Sequence, residues 1–226
     1  SWQQHNQQLH AQNEILNKYN FKTLHFTNGL GTDIHVGLIK NHHWAGGSEK
    51  ALNDVVFNPN MPTEESFTMP DPRRVDGIVY ASMPLAYSGR LVEDFWVKFK
   101  DGKVVDYDAK AHREVLTEIV ETDDGSGRLG EIALISHHSP ISEMGILFYN
   151  TLFDENASCH MALGAAYPMN LKDSKNMSQE QLVEAGMNVS GQHVDFMFGT
   201  PDLKIVGETY DGQYVHVFEE GNFVLK

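Results

Sequence analysis

Asx-Gly pairs punctuate this chain where alternating apolar and polar runs stop and start again. Asn28-Gly29 separates "FKTLHF" from "DIHVGL", Asp101-Gly102 separates "DFWVKF" from "KVVDY", and Asp211-Gly212 precedes "QYVHVF". Such pairs accept the positive φ that tight hairpin turns require, and period-two alternation marks a strand with one covered face. Hairpins place neighbouring strands antiparallel. Mixed, mostly antiparallel β-sheets are therefore expected.

Helices interrupt this pattern at a few places. Residues 2–19 put Leu9, Ile15, Leu16 and Tyr19 near helical spacing, and residues 109–122 bury a stripe of Val115, Leu116, Ile119 and Val120. Ser178 and Gln181 form a capping-box pattern, and Gly186 closes the helix that they open. Residues 58–72 hold four prolines and are expected to be an irregular loop rather than a helix or a central strand. "GIVYA", "LGEIALI", "HVDFMFG" and "LKIVGETY" read as further strands, while residues 140–153 are apolar without a clear period. No repeat, low-complexity tract or long linker divides the 226 residues, so the expectation is one α+β domain with a few packed helices.

Composition excludes some classes of function. One cysteine, Cys159, rules out an intramolecular disulfide and an all-thiolate zinc site within one chain, and suits a reducing, cytoplasmic setting. A formal charge of −14 argues against nucleic acid and anionic membranes as partners, and leaves acid groups that could serve cations. No run approaches the ~20 apolar residues that cross a bilayer. The Gln-, His- and Asn-rich start does not read as a signal peptide, and its opening on Ser1 suggests a processed chain or a fragment.

Residues with metal chemistry stand out against this background. His193 and Asp195 are two apart in a strand and project from the same face, while Val194, Phe196 and Phe198 take the other. Imidazole and carboxylate together suit zinc, cobalt, manganese or iron, although an exposed strand with two polar residues has the same pattern. Glu131 interrupts "LGEIALI", where an ionised carboxylate is costly unless it is paired or metal-bound. An edge strand with one wet face is the competing explanation. Glu65 sits in the proline-rich segment. Glu155 and His160 are five apart and need a turn to converge, whereas His160 and Tyr167 would share a face if "HMALGAAY" were helical.

Other candidates are weaker. His42-His43 and His137-His138 are adjacent pairs whose side chains diverge in any regular structure. Ser139-Pro140 lacks the glycines of a nucleophile elbow, and "GLGTD" lacks the lysine of a phosphate loop. Cys159 beside His160 does not by itself make a catalytic pair.

Taken in order, "LHFTNGLGTDIHVGL", "WAGG", "NMPTEESFTMPD", "GRLGEIALI", "LFDENASCHMALGAAY" and "HVDFMFGT" resemble the thermophilic aminopeptidase T family of metallopeptidases, which includes aminopeptidase S. The resemblance runs through nearly the whole chain. It implies metal ligands at Glu65, Glu131, His160, His193 and Asp195, a further acidic position at Glu155, and a tyrosine near the metals at Tyr167. It also implies two divalent ions (zinc, cobalt or manganese), with Glu131 as the expected bridge and Tyr167 as a hydrogen-bond donor to the developing oxyanion. The general base is left open: Glu155 is a candidate if it is not itself a ligand, and Glu64 is a poorer one. Substrates would be peptides with a free N-terminus.

Members of this family are longer, dimeric chains with an additional N-terminal domain. Residues 1–226 are accordingly expected to form the metal-binding catalytic portion of a homodimeric protein. Two alternatives remain at this point: a non-haem iron oxygenase built on the His193-x-Asp195 pair with His216 as the distal histidine, and a non-catalytic metal-binding fragment.

Overall fold

The computed structural model describes residues 2–47, 49–50, 56–57, 64–139, 144 and 157–226. An opening helix α1 (Trp2–Tyr19) is followed by β1 (Thr23–Thr27), β2 (Asp33–Leu38), β3 (Glu49–Lys50), β4 (Val56–Phe57), β5 (Ser66–Thr68) and β6 (Pro70–Tyr80). Next come β7 (Leu85–Tyr87), β8 (Arg90–Val92), β9 (Trp96–Lys100), β10 (Lys103–Asp108), α2 (Arg113–Val120) and β11 (Leu129–Leu134). The remainder comprises β12 (His160–Gly164), α3 (Gln179–Glu184), β13 (His193–Met197), β14 (Lys204–Glu208), β15 (Tyr214–Glu219) and β16 (Asn222–Phe223).

The strands form an eight-stranded sheet in the order β10-β9-β6-β2-β1-β14-β15-β16 and a four-stranded sheet in the order β13-β12-β11-β5, with two short ribbons, β3-β4 and β7-β8. Every described strand pair is antiparallel, as the hairpin signals require. The two larger sheets share one core. Phe26, Val36 and Val97 of the first meet Ile132, Met161 and Phe196 of the second in a single buried cluster. Phe26 packs edge-on against Phe198 with ring centroids 5.4 Å apart, and Phe95 meets Phe196 at 5.9 Å. The result is a single α+β domain in which one face of the four-stranded sheet is committed to the core.

The turns behave differently from one another. Asp101-Gly102 is the two-residue turn expected, with φ of 49° and 82°, and the same paired positive φ recurs at Ser88-Gly89 and Glu220-Gly221. Asn28-Gly29 instead opens a longer loop, in which the Asn28 side chain accepts hydrogen bonds from the Leu30 and Thr32 amides.

Three expectations need correction. The described part of the proline-rich segment is extended: β5 is an edge strand, and β6 opens at Pro70 where the β2–β6 register shifts. The first residue of a strand and a bulge are places where a sheet tolerates proline. The second helix is shorter than residues 109–122, because Ala111 is held in a bridge to Glu93 and His112 adopts a left-handed conformation. "HMALGAAY" is not helical, since its first five residues form β12 between β11 and β13. The segment 140–153 lies largely outside the described residues. Among the described residues, no helix is long and apolar enough to cross a membrane.

Candidate metal centre

The register of the four-stranded sheet decides which side chains meet. Glu131 of β11 stands opposite Ala162 of β12, and Ala162 stands opposite Asp195 of β13. His160 and His193 have the same parity on their strands as Ala162 and Asp195, so all four functional groups project from the face opposite the core. β11 is an inner strand, flanked by β5 and β12, and its six residues are all buried. The edge-strand explanation for Glu131 is thereby excluded.

A bulge makes this arrangement compatible with the core. Leu129 pairs with Leu163 and Glu131 with Ala162, so Gly130 is an extra residue on β11. Without it, Leu129 and Glu131 would point the same way. With it, Leu129 enters the core while Glu131 faces the site. A Cβ at Gly130 would lie 2.2 Å from the Gly164 carbonyl oxygen, so only glycine fits there.

The donor atoms converge closely. His160 Nε2 lies 3.2 Å from Glu65 Oε2, 3.4 Å from Glu131 Oε2 and 3.9 Å from Asp195 Oδ1. His193 Nε2 lies 3.9 Å from Glu131 Oε2 and 3.4 Å from Asp195 Oδ1. Glu131 Oε2 thus stands within 4 Å of both imidazoles. The structure brings together Glu65, Glu131, His160, His193 and Asp195, five of the six residues expected at a metal site. Glu155 lies outside the described residues.

Hydrogen bonds fix the histidine tautomers. His160 Nδ1 contacts the Ser158 carbonyl at 3.2 Å, and His193 Nδ1 contacts the Ala165 carbonyl at 2.7 Å. A carbonyl only accepts, so each Nδ1 carries a proton and each Nε2 is the nitrogen that faces the carboxylates, ready to ligate once a metal displaces its own proton. Metal-ligating histidines are commonly oriented in this way. These carbonyls contribute no side chain, so nothing in the residue types announced them.

The electrostatics ask for positive charge. Burial pushes the Glu131 carboxyl up to about 7, only partly countered by His160. Burial alone would depress both imidazoles, but it is outweighed by Glu131 and Glu65 around His160, whose pKa is held well above the ordinary value. Asp195 and Glu131 likewise lift His193 to about 9. Protons gather here because the carboxylates outnumber the available cations. Glu65 Oε2, moreover, is buried without a well-formed hydrogen bond. Carboxylate and imidazole donors aimed at one point are a fitting set for divalent metal, which would replace those protons.

Tyr167 follows β12 and begins a short 3₁₀ turn, Pro168–Asn170. Its ring lies over His193, with centroids 4.7 Å apart and planes tilted by 32°. It reaches the site from an extended chain, not by sharing a helix face with His160.

Among the rejected candidates, Cys159 is buried against Ile135 and its thiol is pushed up to about 11 by burial, unsuitable for a nucleophile. His42 is buried and its Nδ1 donates to the Ile39 carbonyl. His216 lies on β15 of the other sheet, against Glu219, and does not join the His193–Asp195 pair. That removes the distal ligand on which the iron oxygenase reading depended.

The family model described as thermophilic metalloprotease (M29) matches residues 1–223. The chain belongs to that family. This M29 chain is 46% identical over 225 residues to aminopeptidase AmpS of Bacillus subtilis, covering 100% of its own length and 55% of that relative. It superposes on wild-type AmpT from Thermus thermophilus with a TM-score of 0.93 at 41% identity, covering 99% of this chain and 55% of that one. The M29 chain thus spans about half the length of the curated relatives it matches. A 2,5-dihydroxypyridine dioxygenase from Pseudomonas putida KT2440 shares the fold at a TM-score of 0.60 and 14% identity, covering 98% of this chain and 60% of that one. The fold alone therefore does not select the chemistry, and the site must.

Proposed function

We propose that this chain is the metal-binding catalytic portion of a two-metal aminopeptidase, acting on peptides with a free N-terminus. The observation that carries the reading is Glu131: a buried carboxylate on an inner strand whose Oε2 faces both His160 Nε2 and His193 Nε2. A single carboxylate between two imidazoles suits a bridge between two ions. Glu65 and His160 would serve one ion, and His193 and Asp195 the other. Glu155 is retained as a further acidic position at the site. The aminopeptidase names of the relatives support the substrate class.

Bound divalent ions (zinc, cobalt or manganese) would supply Lewis acidity, giving a nucleophilic water at neutral pH and polarising the scissile carbonyl. The chain's own groups do the rest. The Ser158 and Ala165 carbonyls hold the imidazoles in the ligating tautomer. Tyr167, beside His193, donates a hydrogen bond from its hydroxyl to the oxyanion that forms at the scissile carbonyl. Surplus carboxylate at the site favours the substrate's N-terminal ammonium. Glu155 is the proposed general base unless it is a ligand, and buried Glu64 is the second candidate. We place the full-length protein in the cytoplasm as a homodimer, with neither nucleic acid nor membrane as a partner.

Glu131→Gln tests this reading, with bound metal measured by elemental analysis and hydrolysis of aminoacyl substrates followed in parallel. Loss of metal together with activity is expected. Full metal occupancy in the variant would reject the bridge, and metal retention by an inactive wild-type chain would favour a metal-binding fragment.

A further inference from the structure

The β1–β2 hairpin carries a second convergence of ligand atoms, on the other sheet. His25 of β1 stands directly opposite His35 of β2, and Asp33 lies two residues before His35 on the same face. Leu24, Phe26, Ile34 and Val36 are fully buried, so His25, Asp33 and His35 project from the outward face. The two imidazoles stack 3.8 Å apart and within 11° of parallel. His25 Nε2 is 2.6 Å from Asp33 Oδ1. One donor atom from each of the three residues falls within 4.8 Å of the other two.

A hydrogen-bonded pair accounts for His25 and Asp33, but not for His35 beside them. The His35 ring makes no hydrogen bond among the described residues; its recorded partner is the stacked face of His25. Burial, and then the neighbouring His25, lower its pKa, so at neutral pH it is an uncharged imidazole with a lone pair to offer. The surrounding field is negative, since Asp76 stands opposite His35 on β6 and Glu208 stands opposite Thr23 on β14. β1 and β2 are the two middle strands of their sheet, each hydrogen-bonded on both sides. The backbone that presents the donors is consequently rigid, which lowers the entropic cost of gathering them.

We propose that His25, Asp33 and His35 bind one divalent transition-metal ion, through two imidazole nitrogens and one carboxylate oxygen, with water completing the shell and the two outward-facing rings turning out of their parallel stack so that their in-plane lone pairs meet at the ion. Two nitrogens and one oxygen select borderline ions such as Zn²⁺, Ni²⁺ and Cu²⁺ over Mg²⁺ or Ca²⁺. The site shares no residue with the centre on β11–β13 and does not depend on that reading. It would brace β1 against β2, and would add one equivalent to any metal content measured on this chain.

The experiment uses the whole chain, stripped of metal by chelation and titrated with Zn²⁺ alone or Cu²⁺ alone. Wild type is expected to take up one equivalent more than His25→Gln/His35→Gln, while Glu131→Gln, aimed at the other centre, keeps that equivalent. With Cu²⁺, the electron paramagnetic resonance spectrum of Glu131→Gln should show coupling to two imidazole nitrogens that disappears in Glu131→Gln/His35→Gln. A wild-type measurement guards against misfolded variants: Cu²⁺ added beyond the two equivalents that the β11–β13 centre would hold should broaden amide resonances around residues 25 and 33–35. Equal Zn²⁺ uptake by wild type and the double-histidine variant, or no broadening around that hairpin, would overturn the proposal.

Discussion

Glu131 and Asp195 occupy one cross-strand row of the four-stranded sheet, separated only by Ala162. A methyl group between two carboxylates leaves open the space in which a cation would lie. Ala162 is fully buried, so a larger residue has nowhere else to go. Ala162→Leu is expected to cost about 1–3 kcal/mol through overpacking and to abolish metal retention while the fold persists. Thermal unfolding and elemental analysis on the same sample check this, and a variant that holds its full metal complement would show that the row does not frame the site.

Metal-free protein should lose stability as pH rises. Glu131 moves from an ordinary 4.5 up to about 7 on folding, so its protonated form is favoured; that contribution is complete below 4.5 and lost as pH climbs through about 7. His193 moves from 6.5 to about 9 and His160 moves in the same direction, so their contributions are complete below 6.5 and vanish as pH passes their folded values. The Glu131 shift alone corresponds to something on the order of 3 kcal/mol. A divalent ion competes with those protons. The rise in melting temperature on adding zinc should therefore be larger at about pH 8 than at about pH 6. An equal rise at both would contradict a proton-filled metal-free site.

Asp71 ties together the start of β6. Its carboxylate, 5% exposed, accepts from the Arg73 amide, from the Arg73 side chain and from Arg74 Nε, while Arg74 also reaches the Lys22 and Leu38 carbonyls. Burial opposes ionisation, but these bonds outweigh it and hold the pKa below the usual 3.8. The carboxylate's contribution is thus present above about pH 4 and lost as pH falls through the depressed value. Asp71→Asn should destabilise by about 1–3 kcal/mol at neutral pH, with the difference shrinking in acid. Urea unfolding at neutral and acid pH measures it, and a difference independent of pH would exclude the ion pair as its source.

Two features of the site were legible in the residues because each broke a local rule. Glu131 interrupts an apolar strand, and His193 and Asp195 supply polar groups on alternate positions of a run whose other face is apolar. What brought them together was not legible. The Gly130 bulge changes the facing of Glu131 relative to Leu129, and a glycine before an acid carries no signature of an inserted residue. "HMALGAAY" is short and alanine-rich, a run that periodicity assigns poorly; pairing with β11 on one side and β13 on the other made it a strand. Pro70 marked the first residue of β6 beside a register shift, not an absence of sheet.

The position of Glu65 depends on a helix far from it in sequence. Asn17 of α1 makes a two-way bond with Trp44, its Oδ1 accepting from the Trp44 amide at 2.8 Å and its Nδ2 donating to the Trp44 carbonyl at 3.2 Å. Asn13 donates to the Gly46 carbonyl, and Gln12 donates to the Ser66 hydroxyl next to Glu65. Ala45, between these anchor points, exchanges both backbone hydrogen bonds with Phe67 of β5. Gly46 approaches so closely that a Cβ there would lie 2.0 Å from the Glu65 carbonyl oxygen. The helix therefore holds residues 44–46, and those residues hold the strand that follows Glu65. Asn17→Ala leaves the buried Trp44 backbone groups without their partner and should cost about 1–3 kcal/mol. It should also weaken metal retention, since Glu65 is then less firmly placed, whereas an equally destabilising change on the far sheet, such as Val104→Ala, should not. Chelator-competition measurements on the two variants separate these outcomes, and identical metal affinity in both would mean that α1 stabilises the fold without positioning the site.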